Sequence, residues 1–249
     1  MPGAVLVTGG GRRLGAAIAR AVAAAGFRVV IHHNRSSEEA AALAGEIGGA
    51  TVRGDLADLA GLDALFGRAV AAAGEPILGL VNSASLFEFD RPPQVDVSLA
   101  ARLYAVNTLA PVRLAEALAR QEAPEGGAVV NLLDQKVANP NPDFFSYTLT
   151  KVALEGATTL LAQALAPRVR VNAVAPGLTL PSGDQSAAEF ADTATRNLLH
   201  REVGAEQVAA AVVYLLGARS VTGQTLFVDS GQRFLKREGD VMFEGRADA

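Results

Sequence analysis

The chain has 249 residues, half of them apolar but only 5% aromatic, with a net charge of -4 and no cysteine. That composition excludes disulfides, thiolate metal sites and cysteine nucleophiles. With no block of like charges, it also removes the electrostatic basis for nucleic-acid binding. The length fits a single α/β domain, 1–249. No run of about 18 uncharged apolar residues is present and the first residues read straight into a strand, so neither a membrane span nor a signal peptide is predicted. A cytoplasmic protein is expected.

The first strand, 4–8, runs into Thr8-Gly-Gly-Gly-Arg-Arg-Leu-Gly15 and a helix at 14–25. A glycine-rich turn between strand and helix lets backbone amides approach a pyrophosphate at the helix N-terminus. Gly9, Arg12, Arg13, Leu14 and Gly15 are therefore candidate dinucleotide contacts. The second strand, 28–32, ends in His32-His-Asn-Arg-Ser36 without the carboxylate that NAD-binding sheets place on the ribose hydroxyls. Asn34, Arg35 and Ser36 can instead surround a 2'-phosphate, with Arg12 and Arg13 from the neighbouring loop, so NADPH is expected over NADH.

A helix at 37–46, a strand at 50–53, a helix at 59–73, a strand at 78–82, a helix at 96–119 and a strand at 128–133 follow. The alternation predicts a doubly wound, Rossmann-type parallel sheet of seven strands with helices on both faces. The turn-rich segment 139–143 leads into a helix at 145–165 that carries Tyr147 and Lys151 four residues apart. One helix face thus holds an ammonium beside a phenol, which favours the ionised phenol. Asp134, thirteen residues before the tyrosine, pushes the phenol pKa the other way, so the group should titrate as a coupled system. A strand at 169–173, an insertion at 178–201 read as a substrate lid, a helix at 205–216, a strand at 225–228 and a charged tail at 236–249 complete the chain. The tail reads as frayed or as a subunit contact. His32, His33 and His200 lack metal-ligand spacing and read as pocket or surface residues; no metal is expected.

The glycine turn, Asp55-Leu56, Asn82-Ser-Ala-Ser85, Asn107, Tyr147 with Lys151, and Pro176-Gly177 together resemble the short-chain dehydrogenase/reductase family, and Val228-Asp-Ser-Gly231 extends the likeness to nearly the whole chain. The resemblance implies that Asp55 and Leu56 flank the adenine. It implies that Asn82, Ser83 and Ala84 line the cofactor, that Pro176 and Gly177 approach the nicotinamide, and that Asn107 holds a water relaying protons to Lys151. Most members of the family carry serine at position 134, whose hydroxyl donates to a substrate carbonyl. An ionised aspartate only accepts, which suits an N–H-rich heterocycle better than a ketone.

Aspartate there, with Gly11-Arg-Arg-Leu-Gly15, Asn82-Ser-Ala-Ser-Leu-Phe87 and the His-Asn-Arg-Ser run, resembles the pteridine reductase branch, a signature that bacterial dihydromonapterin reductases share. The branch implies a pterin sandwiched between nicotinamide and Phe87, with Ser85 and Arg13 as further ligands. Simple core packing is the lesser alternative for Phe87, while Phe89 and Phe144 flank the inferred pocket and read equally as core residues. The expectation is NADPH-dependent reduction of a pterin C=N bond, with Tyr147 delivering a proton. The family also implies that the helix over 153–165 pairs across a subunit interface, giving a homotetramer or dimer; burial against the sheet is the other reading. A carbonyl reductase or alcohol dehydrogenase of the same family and a non-enzymatic NADPH sensor stay open.

Overall fold

A computed structural model describes residues 3–123, 126–181 and 185–243. In chain order its elements are β1 (Ala4–Thr8), α1 (Arg13–Ala24), β2 (Arg28–His33), α2 (Ser37–Ile47), β3 (Ala50–Arg53), α3 (Leu62–Ala73), β4 (Ile77–Asn82), α4 (Val97–Tyr104), α5 (Ala110–Arg120), β5 (Gly127–Leu132), α6 (Phe145–Leu165), β6 (Val169–Pro176), α7 (Ala187–Ala194), α8 (Ala205–Gly217) and β7 (Thr225–Val228). The strands form one parallel sheet in the order β3-β2-β1-β4-β5-β6-β7. This is the seven-stranded, doubly wound architecture expected from the alternating pattern.

Side chains alternate across each strand, and β1 shows the result. Ala4 and Leu6 enter one core with Leu65, Phe66, Leu114 and Leu118 from α3 and α5. Val5 and Val7 enter the opposite core with Ile18, Val22, Val212 and Leu216 from α1 and α8. Both faces are covered, which is why the strands read as nearly continuous apolar runs. Each fully buried Leu or Ile contributes about 1.5–3 kcal/mol relative to exposure. Among the described residues, no helix is long and apolar enough to cross a membrane.

The chain lays β2 and β3 outward from β1, then returns to place β4 on the other flank of β1. That reversal opens a crevice beyond the C-terminal ends of β1 and β4. Thr8 pins the two ends together: its Oγ accepts the amides of Ser83 and Ala84 at 3.0 and 3.1 Å.

Three segments depart from the sequence pattern. The stretch expected as one helix over 96–119 is α4, a π-helical turn at Ala105–Leu109, and α5. Pro111 lacks an N–H for the carbonyl of Asn107, and the Ala110 amide instead reaches back to Ala105 O across the wider turn. Within the insertion, α7 forms on a capping box in which Ser186 and Glu189 satisfy each other's backbone amides. The tail, as far as residue 243, is not frayed: a short 3-10 turn at Val241–Phe243 buries Val241 and Met242. Residues 244–249 of that tail lie outside the described residues.

Candidate active site

The crevice is a cleft of about 800 Å³ running from the glycine turn, past the ends of β4 and β5, to the C-terminal turn. Its floor at one end needs glycine. Gly9 has φ +62 and a Cβ there would lie 2.9 Å from Ala84 Cα, while a Cβ at Gly15 would overlap the Gly9 carbonyl. The close approach of backbone to backbone leaves a cradle at the N-terminus of α1, whose first turn carries no acid. Arg13 also sits at a positive φ of 51, and its guanidinium donates to Pro181 O, joining the turn to the loop after β6.

Arg12, Asn34, Arg35 and Ser36 line the same end of the cleft. Arg12 pairs with Glu39 on the exposed rim. Asp55 and Leu56 form a side wall, and Ser83, Ala84, Pro176 and Gly177 lie farther along. A glycine cradle, an acid-free helix start and a cationic rim fit a dinucleotide with an additional phosphate.

The other end of the cleft holds the titratable groups. α6 presents Tyr147, whose hydroxyl donates to Asp134 Oδ2 at 3.0 Å. Asp134 follows β5 and caps the short turn at Gln135–Val137, its Oδ1 accepting the Lys136 amide at 2.9 Å. Burial raises the Asp134 pKa above the ordinary carboxylate range, opposed by that amide bond. Burial also pushes the Tyr147 hydroxyl well above its usual 10, and the Asp134 carboxylate adds to the rise. Lys151 donates to Leu132 O at 2.8 Å, and its Nζ lies 5.5 Å from the Tyr147 ring centre. Burial brings its pKa down to about 8, while the Asp134 charge works against that fall. Of the opposing influences expected on Tyr147, those raising its pKa prevail.

Phe87 stacks on Phe144 with ring centres 4.0 Å apart and meets Tyr147 edge-on at 4.7 Å. Its 38% exposure leaves one side of an aromatic shelf towards the cleft, beside Ser85. Phe89 packs edge-on against Phe144 rather than lining the cleft.

Three of the expected site residues stand behind the cleft wall. Asn82 is buried and donates to Asn131 Oδ1 at 2.8 Å. Asn107, in the π turn, brackets Leu86 by accepting its amide at 2.8 Å and donating to its carbonyl at 2.9 Å; it also donates to Thr150 Oγ at 3.1 Å. Lys151 is likewise covered. The structure adds residues that the sequence pattern did not single out: Lys136, Gln232, Asp240 and Met242 all line the cleft. Their places depend on long-range contacts, although the lysine two positions after Asp134 was visible.

Residues 10–233 match the family model described as enoyl-(acyl carrier protein) reductase. The chain is 44% identical to FolM alternative dihydrofolate reductase 1 from Brucella suis, solved in complex with NADP, with a TM-score of 0.89 over 94% of this chain and 96% of that one. It is 30% identical to pteridine reductase 1 of Leishmania tarentolae, over 91% of this chain and 94% of that protein. It is 26% identical to dihydromonapterin reductase of Klebsiella pneumoniae, over 93% and 97% respectively.

Proposed function

The chain belongs to the short-chain dehydrogenase/reductase family, and from that premise we propose that it is an NADPH-dependent oxidoreductase reducing a C=N bond of a pterin. The single observation that carries the substrate reading is the Tyr147–Asp134 hydrogen bond at the aromatic end of the cleft. A ketone oxygen opposite an acidic acceptor would be repelled, whereas the ring N–H and amino groups of a pterin are donors that Asp134 can accept. The relatives named for dihydromonapterin, pteridine and dihydrofolate reduction support the same substrate class.

Bound NADPH supplies the hydride. The chain's own residues supply the rest: Gly9 to Gly15 cradle the pyrophosphate, and Arg12, Arg35 and Ser36 receive the 2'-phosphate, with Arg12 exchanging Glu39 for the ligand. Asp55 and Leu56 wall the adenine. Phe87 offers a flat face for the ring, assisted by Ser85 and Arg13. Tyr147 is held protonated by burial and by Asp134, so at neutral pH it is a proton donor. Asp134 accepts both the ring N–H groups and the Tyr147 hydroxyl and so orients the two towards each other, and the phenol regains its proton from solvent once the product leaves. Lys151 fixes the tyrosine helix against the end of β5, and Asn107 fixes the loop that carries Ser85 and Phe87. The segment 178–201, of which residues 182–184 lie outside the described residues, closes over the ring. A homo-oligomer, tetramer or dimer, in a reducing cytoplasm completes the reading; the cysteine-free chain suits that compartment.

The test is NADPH oxidation with a 7,8-dihydropterin and with a panel of ketones. Pterin turnover should exceed ketone turnover. Tyr147→Phe should lower kcat by at least about a hundredfold, the scale of a general acid, and Asp134→Ser should damage pterin reduction more than ketone reduction. Full activity in Tyr147→Phe, or unchanged pterin kinetics in Asp134→Ser, would refute the assignment.

A further inference from the structure

Beneath the floor of the substrate end lies a charged network that the proposed chemistry does not use. Lys136 is 3% exposed, yet its ammonium spends all three protons on protein: on Asp240 Oδ2 at 2.9 Å, Asp143 O at 2.8 Å and Asn141 Oδ1 at 3.0 Å. Asp240 in turn accepts the Met242 amide with Oδ1 at 3.1 Å. Its own amide donates to Asp143 Oδ2 at 2.7 Å, and Asp143 Oδ1 accepts from Arg91 at 2.9 Å. The C-terminal segment is thereby strapped across the cleft, where Asp240, Val241 and Met242 form part of the wall, and Met242 packs with Phe144 and Tyr147.

Burying an ion pair of this kind is no gain in stability by itself, because desolvation offsets the attraction. Its placement is what carries meaning. Lys136 belongs to the same short turn as Asp134, and its backbone amide holds Asp134 Oδ1. We propose that Lys136 and Asp240 are positioning residues: their buried pair docks the strap 240–242 as the far wall of the substrate site and holds Asp134 in place beside Tyr147.

The two charges also act on the proton-handling pair with opposite signs. Lys136 lowers the pKa of Asp134, whereas Asp240 raises that of both Asp134 and Tyr147. Among the described residues, the Lys151 ammonium lies 5.5 Å from the Tyr147 ring centre, and Asp143, paired with Arg91, accepts the Asp240 amide on the far side of the network. α7, which packs on the turn at 241–243, keeps Glu189 on Ser186 and Asp192 on Arg196.

The proposal rests on the Tyr147–Asp134 chemistry, and the experiment separates the two. In the full chain, Lys136→Met, Asp240→Asn and the double variant Lys136→Met/Asp240→Leu are assayed for NADPH affinity and for the pH profile of kcat/KM with 7,8-dihydrobiopterin, alongside Tyr147→Phe. NADPH affinity should stay within about twofold, since the strap lies at the opposite end of the cleft. Removing the cation should move the alkaline limb to higher pH and removing the anion should move it lower, each by about half a unit or more. The opposite shifts report the two charges themselves, so the positioning role is read from the double variant, in which both charges are gone. In the double variant the limb should return close to that of the parent while kcat/KM stays at least about tenfold down, from the misplaced ring and carboxylate. Limbs that stay put or move the same way in both single variants overturn the proposal. If the single variants fail to fold, a double variant with parental kcat/KM overturns it. Retained turnover in Tyr147→Phe would instead overturn the parent reading.

Discussion

His32 ties three segments together through one imidazole. Its Nδ1 accepts the Gly9 amide at 3.2 Å and its Nε2 lies 3.2 Å from Gly54 O, so the proton sits on Nε2 and the neutral ring fixes the glycine turn to the end of β3. Burial, the dominant influence, takes its pKa from 6.5 down to about 4. A depressed folded-state pKa means stability that is present above 6.5 and lost as pH falls towards 4, because the unfolded chain binds a proton that the folded chain refuses. The loss should amount to about 2.5 kcal/mol by pH 4.5. Urea unfolding of the parent and of His32→Asn at pH 7 and pH 4.5 checks this: the variant should lose less stability over the interval, and equal losses would refute the assignment. In the sequence this residue was one of three histidines without metal spacing; only the fold shows that it organises the cofactor turn.

At the scale of elements, α6 owes its start to a residue far upstream. Phe144, just before the helix, sits at φ 51 and offers no cap. Asp90 takes that role: Oδ1 accepts the Ser146 amide at 2.9 Å, Oδ2 accepts the Ser146 hydroxyl at 2.5 Å, and Asp90 O accepts the Phe145 amide. A carboxylate at a helix N-terminus also faces the favourable end of the dipole. Asp90→Ala should therefore cost about 1–2 kcal/mol and lower kcat through the displaced Tyr147. An unchanged urea midpoint would sink the claim. The span of α6 was legible, because its periodic run at 145–165 coincides with the helix, but its cap was not, since the cap lies outside the local window. For α7 neither the span nor the cap was read, because the whole stretch reads as a lid, although Ser186 and Glu189 stand at the spacing of a capping box.

For the whole molecule, most of the site was legible because each motif stands just after a strand, and parallel strands bring all their C-terminal ends to one edge. Gly9 to Gly15 after β1, Arg35 after β2, Asp55 after β3, Ser85 after β4 and Asp134 after β5 meet in the cleft for that reason. The strap at 240–242 was not legible, since nothing in its own pattern shows that a buried lysine about a hundred residues away receives it. α6 is buried along one side, as one of the two readings of that helix has it, and leaves apolar residues exposed along another. Leu154 and Leu161 are buried against the body, while Leu149, Val152 and Leu160 stand exposed. An apolar stripe of this kind suits a second copy of the chain. Leu160→Glu should shift the assembly towards the monomer in light scattering; a parent chain already monomeric at micromolar concentration would refute the oligomer.

The π turn at Ala105–Leu109 acts as a phase shifter between α4 and α5. One residue is about 100° of rotation on an α-helix, so a single extra residue in the rod from Val97 to Arg120 turns the apolar side of α4 out of line with that of α5. Leu103 consequently faces Phe144 and Tyr147, whereas Leu114 and Leu118 face the sheet. A single rod can thus serve two neighbours lying in different directions, and the residue at the point of rotation is Asn107, whose amide grips the loop bearing Phe87. Helical phase thus places Asn107 where its side chain brackets Leu86, one residue before the aromatic shelf.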